Sequence, residues 1–184
     1  MAKLIPFGGK APVIDPSAFV APGAVLIGDV EIGAEASIWY NCVLRADVNR
    51  IRIGARTNIQ DGSVIHVDSP RPGHEAGQPT LIGEDVLIGH LAMVHGCRLH
   101  DRAFVGLGSI VMDGCEIESD AMLAAGAMLT PGRRIPAGQL WAGRPAKYVR
   151  DLSGEELAGQ RAGVAHYVEL ARAHAGALRA LSYR

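Results

Sequence analysis

An aliphatic residue recurs at every sixth position through most of this chain, and that spacing restricts the fold more than any other feature. The series runs through Ile14, Val20, Leu26, Ile32, Ile38, Leu44, Ile53, Ile59, Ile65, Ile82, Ile88, Val94, Leu99, Val105, Val111, Ile117, Leu123, Leu129 and Ile135. A six-residue period fits neither an amphipathic helix nor a simple alternating strand. It suits a short strand plus a corner, repeated three times per coil, so the sequence predicts a triangular prism of stacked coils.

Such hexapeptide repeats resemble those of the left-handed parallel β-helix, so we expect a mainly β fold of that type. Aromatic residues make up only 5% of the chain while Gly numbers 23, which suits a thin, repetitive interior with many corners. The prism is predicted over residues 1–150, with a Pro-, Gly- and His-rich loop at 68–80 inserted between two coils.

A C-terminal helix is predicted over residues 151–184, packed on the prism or on a neighbouring subunit. Ser153 and Glu156 have the spacing of a capping box ahead of it. An apolar stripe at helical spacing follows, formed by Leu157, Val164, Val168, Ala171, Leu178 and Leu181.

Charge and composition exclude several classes of partner. The formal net charge of −1 offers no electrostatic reason to bind nucleic acid or an acidic membrane. No stretch approaches the length of a membrane span or a signal peptide, so we expect a cytoplasmic protein. Cys42, Cys97 and Cys115 are odd in number and form no C-x-x-C pair, which favours buried free thiols over disulfides or a cysteine zinc site.

The sharpest inference concerns the histidines. If the loop is left out, the hexads that start at Ile65 and Val94 lie three hexads apart and therefore share a face. His66 and His95 each follow the starting residue, so they occupy the same position one coil apart, about 4.8 Å along the stacking direction. Two imidazoles placed in this way can share one metal ion.

His90 is the natural third ligand, but it belongs to a hexad on a different face. A neighbouring subunit could supply it, and threefold symmetry would pair His66 and His95 of one chain with His90 of the next. The sequence therefore predicts a homotrimer with metal sites between subunits. The other reading is that each histidine is a surface or corner residue. His74 and His100 lack this phasing, and His166 and His174 lie in the predicted terminal helix, so all four are left outside the metal site.

Three segments carry a family resemblance, namely Leu44-Arg-Ala-Asp-Val-Asn-Arg-Ile-Arg-Ile-Gly, Thr57-Asn-Ile-Gln-Asp-Gly-Ser-Val-Ile-His and Gly89-His-Leu-Ala-Met-Val-His-Gly-Cys. These segments resemble those of the γ-class carbonic anhydrase family, and the resemblance extends over nearly the whole chain. The resemblance implies a β-helix trimer in which His66, His90 and His95 bind zinc, with Fe²⁺ or Co²⁺ as alternatives. It also implies attack of a metal-activated hydroxide on carbon dioxide to give bicarbonate.

The resemblance assigns further roles. Gln60 would position the hydroxide or carbon dioxide, Asp61 would orient a metal-binding group, and Tyr167 would approach the metal from the terminal helix. Arg45 and Asp47 would organise the interface and the site, although a plain structural ion pair is the alternative.

The chain departs from the family pattern at Val48, where active members have a Glu. Asp68, His74 and Glu75 in the loop are its possible substitutes.

Three other functions stay open at this point. The same metal site could hydrolyse an acyl thioester, and a hexapeptide acyltransferase could use one His as a general base without any metal. A metal-stabilised scaffold subunit without turnover would have the same fold, because fold alone does not specify chemistry.

Overall fold

The computed structural model describes residues 1–181 as a left-handed parallel β-helix followed by a helix, which confirms the predicted fold class. In chain order the elements are β1 (Lys3–Ile5), β2 (Val13–Ile14), β3 (Phe19–Val20), β4 (Val25–Ile32), β5 (Ser37–Ile38), β6 (Val43–Ile53), β7 (Asn58–Ile59), β8 (Val64–His66), β9 (Thr80–Ile82), β10 (Leu87–Ile88), β11 (Met93–His95), β12 (Arg98–Leu99), β13 (Phe104–Val105), β14 (Ile110–Val111), β15 (Glu116–Ile117), β16 (Met122–Leu123), β17 (Met128–Leu129), β18 (Arg134–Ile135), β19 (Gln139–Ala142), β20 (Lys147–Asp151) and α1 (Gly154–Leu181). The last residues of the predicted helix, 182–184, lie outside the described residues.

Each strand except β20 pairs in parallel with the strand one coil away, and the stacked strands form three faces of the prism. The first face contains β2, β9, β12, β15 and β18 with the second halves of β4 and β6. The second contains β3, β5, β7, β10, β13, β16 and β19, and the third contains β1, β8, β11, β14 and β17 with the first halves of β4 and β6. The strand β20 closes the second face by pairing antiparallel with β19, so residues 147–151 do not continue the parallel coil.

The repeated aliphatic residues form the core of the prism. Leu26, Leu44 and Ile65 have no exposed surface, and burying such a side chain contributes about 1.5–3 kcal/mol. Ile14 and Val20 are only partly buried because they belong to the first coil, which has no coil beneath it. Cys42, Cys97 and Cys115 are buried free thiols, as predicted.

Two segments leave the regular coil on the same side of the prism. Within the β4–β6 pair the register jumps from Gly28↔Ala46 to Val30↔Ile51, so residues 47–50 bulge outward. The inserted loop leaves the prism after His66 and carries two isolated antiparallel bridges, Asp68↔Gln78 and Arg71↔His74. Its predicted last residue, Thr80, already belongs to β9.

The helix α1 lies along the second face of its own prism. Its buried residues are Val164, Val168 and Ala171. The guanidinium of Arg161 lies 3.5 Å from Asp120, and Arg172 pairs with Glu35 nearer the other end of the prism. Leu181 was predicted to belong to the apolar stripe but is 66% exposed, at the C-terminal end of α1.

The capping box at the start of α1 predicts a pH-dependent stability. Ser153 N donates to Glu156 Oε2 at 2.9 Å and Glu156 N donates to Ser153 Oγ at 3.2 Å, which confirms the predicted motif. Hydrogen bonds from Arg150 and from the Ser153 backbone lower the pKa of Glu156 from 4.5 to about 2. A carboxylate with a lowered folded-state pKa stabilises the fold above its unfolded pKa, and this contribution is lost as the pH falls from 4.5 towards 2.

We therefore expect Glu156→Gln to lower the melting temperature at pH 7, and the difference from the wild type to shrink as the pH falls from 5 to 2. Glu155→Gln is the matched control, since Glu155 lies in the same helical turn without a hydrogen-bonded partner among residues 1–181. Thermal unfolding followed by circular dichroism would measure both. Equal pH profiles for the two variants would contradict the assignment.

Candidate functional site

His66 and His95 lie side by side at the corner between the third and first faces. They are direct partners in the β8–β11 pair, which confirms the register that hexad counting predicted. His66 Nδ1 and His95 Nε2 are 2.9 Å apart, and the ring centroids are 4.9 Å apart. The stacking of parallel strands alone brings the two imidazoles together, because both occupy the same position in neighbouring coils.

A carboxylate holds the other ring nitrogen of each histidine. His66 Nε2 lies 3.1 Å from Asp47 Oδ1, and His95 Nδ1 contacts Asp113 Oδ1. Carboxylates accept protons, so these contacts place the imidazole protons on the outer nitrogens. With the protons there, the inner nitrogens direct lone pairs at each other, so either a proton or a metal ion between them would stabilise the pair.

The donor set therefore fits a divalent metal. Two nitrogens bound to one tetrahedral zinc at 2.0–2.1 Å stand about 3.3 Å apart, so a small ring rotation from 2.9 Å suffices. Carboxylates on the outer nitrogens are the usual outer support of metal-binding histidines. Burial is the largest influence on His66 and lowers its pKa; the hydrogen bond to Asp47 opposes this lowering, and the charges of Arg45 and His95 add to it. The neutral imidazole that binds metals is thus favoured.

Arg45, still in register with β4, and Asp47, the first residue of the outward bulge, support this corner. Arg45 Nη1 donates to Asp47 Oδ2 at 2.5 Å, so Asp47 bridges Arg45 and His66. Burial alone would raise the pKa of Asp47, but the hydrogen bonds from Arg45 and His66 outweigh it and keep the pKa lowered. The two residues therefore form an ion pair within the chain, and that ion pair also contacts a candidate ligand.

Asp113 was missed by the sequence reasoning. It lies in the hexad that begins at Val111, three hexads after Val94 and thus one coil beyond His95, so the same counting could have found it. Gly96 makes room for it, because a Cβ on Gly96 would lie 2.4 Å from Asp113 Oδ1. Gly96 also has a φ of +51°, which favours glycine.

His90 lies at a different corner, between the second and third faces, as its hexad predicts. Its Nδ1 is 2.9 Å from Asp61 Oδ2, and 47% of its side chain is exposed. Asp61 also accepts the backbone N–H of Tyr40 at 3.2 Å. Within residues 1–181 no group of three or more His, Cys, Asp or Glu side chains could hold a metal ion. Within a single chain, His90, the predicted third ligand, therefore lies at a different corner of the prism from His66 and His95.

Gln60 lies at the same corner as His90 and is 5% exposed. It directly follows β7, and its Nε2 donates to Asn58 Oδ1 at 3.1 Å. Asn58, which the sequence reasoning missed, is fully buried, and its own Nδ2 has no partner among the described residues. The alternation Asn-x-Gln, with both side chains on one side of a strand, was the available signal.

Tyr167 belongs to α1, and its side chain packs against the prism beside this corner. Its ring meets Trp39 edge to face, with centroids 5.5 Å apart at 83°, within a cluster that includes Phe19, Tyr40 and His174. Burial raises the pKa of Tyr167, and the charge of Asp61 raises it further. Tyr167 therefore packs in an apolar cluster and lies within electrostatic range of Asp61, and its approach to a metal stays a prediction.

Comparison with known proteins places these motifs in a family. No family model matches the chain. The chain is 48% identical over 166 residues to "Gamma carbonic anhydrase 1, mitochondrial" of Arabidopsis thaliana, which covers 90% of this chain and 60% of that protein. It is 42% identical to protein YrdA of Escherichia coli, covering 90% of both. The chain belongs to the γ-class carbonic anhydrase family of hexapeptide-repeat proteins.

A solved structure extends this family assignment to the fold. The hexapeptide transferase family protein of Anaplasma phagocytophilum has a TM-score of 0.86 and 46% identity, and the match covers 93% of this chain and 97% of that one. This chain spans about 60% of the length of the Arabidopsis γ carbonic anhydrase. Among residues 1–181, no helix combines the length and apolar character needed to cross a membrane.

The carboxylates beside the two histidines, Asp47 and Asp113, are already engaged by His66 and His95, and Val48 adds no further carboxylate. Val48 is 40% exposed in the outward bulge. In the loop, Asp68 is engaged by Arg71, and Glu75 accepts the backbone N–H of Gly73 at 2.9 Å. Each of the two acids that could replace the family Glu is therefore already hydrogen-bonded.

The loop itself is anchored to the bulge. Asn49 Nδ2 donates to Asp68 O at 3.2 Å and to Ala76 O at 2.8 Å, which ties both ends of the loop to the segment that carries Asp47. Thr80 Oγ1 donates to the backbone carbonyl of His66. The base of the loop and the histidine corner are therefore held as one unit.

Proposed function

We propose that this chain is a zinc-dependent, carbonic anhydrase-like enzyme that acts as a homotrimer and converts carbon dioxide and water into bicarbonate and a proton. Fe²⁺ or Co²⁺ could replace zinc in a histidine site. The observation that carries the proposal is the pair of inward-facing nitrogens on His66 and His95, each with its outer nitrogen on a carboxylate.

The trimer supplies the third ligand. His90 lies at a separate corner with Nδ1 on Asp61 and 47% of its side chain exposed, which supports a role for Nε2 as a ligand to a metal shared with a neighbouring subunit. In a threefold ring each corner with His90 meets the corner with His66 and His95 of the next subunit, so three identical sites close the assembly. Arg45 and Asp47 then stand at the interface as well as beside His66.

The chain's own residues have defined tasks in the reaction. When bound, the metal would lower the pKa of a coordinated water molecule to about 7. Gln60, held by Asn58, offers its amide to orient the attacking oxygen or carbon dioxide. Asp61 fixes the His90 ring, and Tyr167 lines the apolar side that excludes bulk water.

The test combines metal content, molar mass and carbon dioxide hydration for the wild type and for Gln60→Ala. We expect about one metal per chain in a trimer for both proteins, and a turnover that is about ten- to a hundredfold lower in the variant, since positioning is lost while the ligands remain. Thioester hydrolysis is measured in parallel. If the protein binds metal and hydrolyses thioesters but does not hydrate carbon dioxide, the proposed metal site stands and the substrate is a thioester.

An acyltransferase is the second candidate, because a structural neighbour is named a hexapeptide transferase family protein. Such an enzyme needs a histidine base but no metal. Acyl transfer from a coenzyme A thioester that survives complete chelation would favour it. The cytoplasmic location stays a prediction, since the Arabidopsis relative is named as mitochondrial.

A further inference from the structure

A small groove borders the outward bulge beside the candidate site. It has a volume of about 260 Å³ and lies between the N-terminal segment around Phe7 and Lys10 and the bulge at residues 46–50. The N-terminal side is a hairpin in which Phe7 N donates to Lys10 O at 2.8 Å and Lys10 N donates to Phe7 O at 3.0 Å. The groove is therefore built by two ordered backbone segments.

Four charged side chains line the groove, and its two cations lack an ion-pair partner there. Its two cations, Lys10 and Arg50, form no ion pair among residues 1–181. Its two carboxylates are already engaged, Asp29 by Arg52 at 2.7 Å and Asp47 by Arg45 and His66. The exposed side chain between Asp47 and Asn49 is the neutral Val48, which adds no carboxylate that could pair with Lys10 or Arg50.

Asp47 links this groove to the histidine corner. It lines the groove and its Oδ1 lies 3.1 Å from His66 Nε2. A molecule in the groove is thus separated from the candidate metal ligands by one side chain. A guanidinium and an ammonium together favour a small oxyanion, because carboxylate-type oxygens accept charge-assisted hydrogen bonds from both.

We propose that Lys10 and Arg50 bind a small monovalent oxyanion in this groove, with bicarbonate as its natural occupant. The naming of bicarbonate rests on the proposed function, in which it is the product. The groove then holds the anion next to the site on its way to or from solvent. Val48 contributes by leaving the groove without a competing carboxylate.

The experiment uses the full-length protein, freed of metal by chelation, and follows amide resonances during titration with sodium bicarbonate. Sodium chloride at equal ionic strength and pH is the reference titration. Saturable shifts at Gly8 and Asn49 are expected with bicarbonate only. Lys10→Ala with Arg50→Ala is expected to weaken binding about ten- to a hundredfold, as for the loss of charge-assisted hydrogen bonds.

The matched control is Arg144→Ala with Lys147→Ala, which removes the same charge at the far end of the prism, in the segment around β20. It should bind bicarbonate like the wild type. Val48→Glu should weaken binding without removing a cation. Equal loss in the control pair, or unchanged binding in the Lys10 and Arg50 variant, would overturn the proposal.

Failure of the two proposals is separable. If bicarbonate binds in the groove but the metal-loaded protein does not hydrate carbon dioxide, the anion site stands and the enzymatic function fails. If hydration occurs and the Lys10 and Arg50 variant keeps its bicarbonate affinity, the function stands and the anion site fails.

Discussion

His90→Ala is expected to purify without bound metal and to hydrate carbon dioxide on the order of 10³-fold more slowly than the wild type, because the lost ligand removes the activated water. The His66 and His95 pair remains intact in this variant, since those residues lie at a different corner of the prism. Metal analysis and a stopped-flow hydration assay would measure both losses.

Mixed trimers test where the third ligand comes from. If His90→Ala and His95→Ala chains are unfolded together and refolded at equal ratio, an interface is complete when a His90→Ala chain supplies the histidine pair and a His95→Ala chain supplies His90. Random assembly completes about one quarter of the sites. A site built within one chain would instead recover no metal in any mixture.

His100→Ala is the control for loss of a histidine as such. His100 binds Glu116 at 2.6 Å on the first face and belongs to neither corner of the proposed site. We expect it to keep the metal and the hydration rate of the wild type. Full metal content in His90→Ala would show that the third ligand is another residue, and would end the interpretation built on His90.

Gly106→Ala is expected to destabilise the protein by about 3 kcal/mol, and to lower the melting temperature on the order of 10 °C. A Cβ on Gly106 would lie 2.3 Å from Ala125 N and 2.6 Å from Ala124 C. Both contacts are backbone atoms of the next coil, so they can be relieved only by moving coils apart. Gly106 N also donates to Leu123 O at 2.8 Å, a hydrogen bond that such a movement would stretch.

Gly159→Ala is the matched control with the opposite sign. Gly159 lies in α1, and a Cβ there meets nothing within 4 Å. Replacing a helical glycine by alanine stabilises a helix by up to about 1 kcal/mol. Thermal or urea unfolding of both variants would check the pair of expectations. A Gly106→Ala protein as stable as the wild type would mean that the coils separate more easily than their spacing implies.

The sequence determined the features that repeat or are local. The aliphatic period predicted the stacked coils and, with the loop left out, the neighbouring positions of His66 and His95. It did so because side-chain direction in a regular coil depends only on position within the hexad. The capping box of Ser153 and Glu156 was equally predictable, since both partners lie in one helical turn.

The tertiary structure decided which side chains complete the site. Hexad counting and the Asn-x-Gln alternation place Asp113 near His95 and Asn58 beside Gln60, but only the structure shows that these side chains meet. The groove formed by Lys10 and Arg50 joins segments that are far apart in sequence. Such contacts depend on how far the chain bulges and which rotamer each side chain adopts, and these are set by packing between coils and not by the period of the sequence.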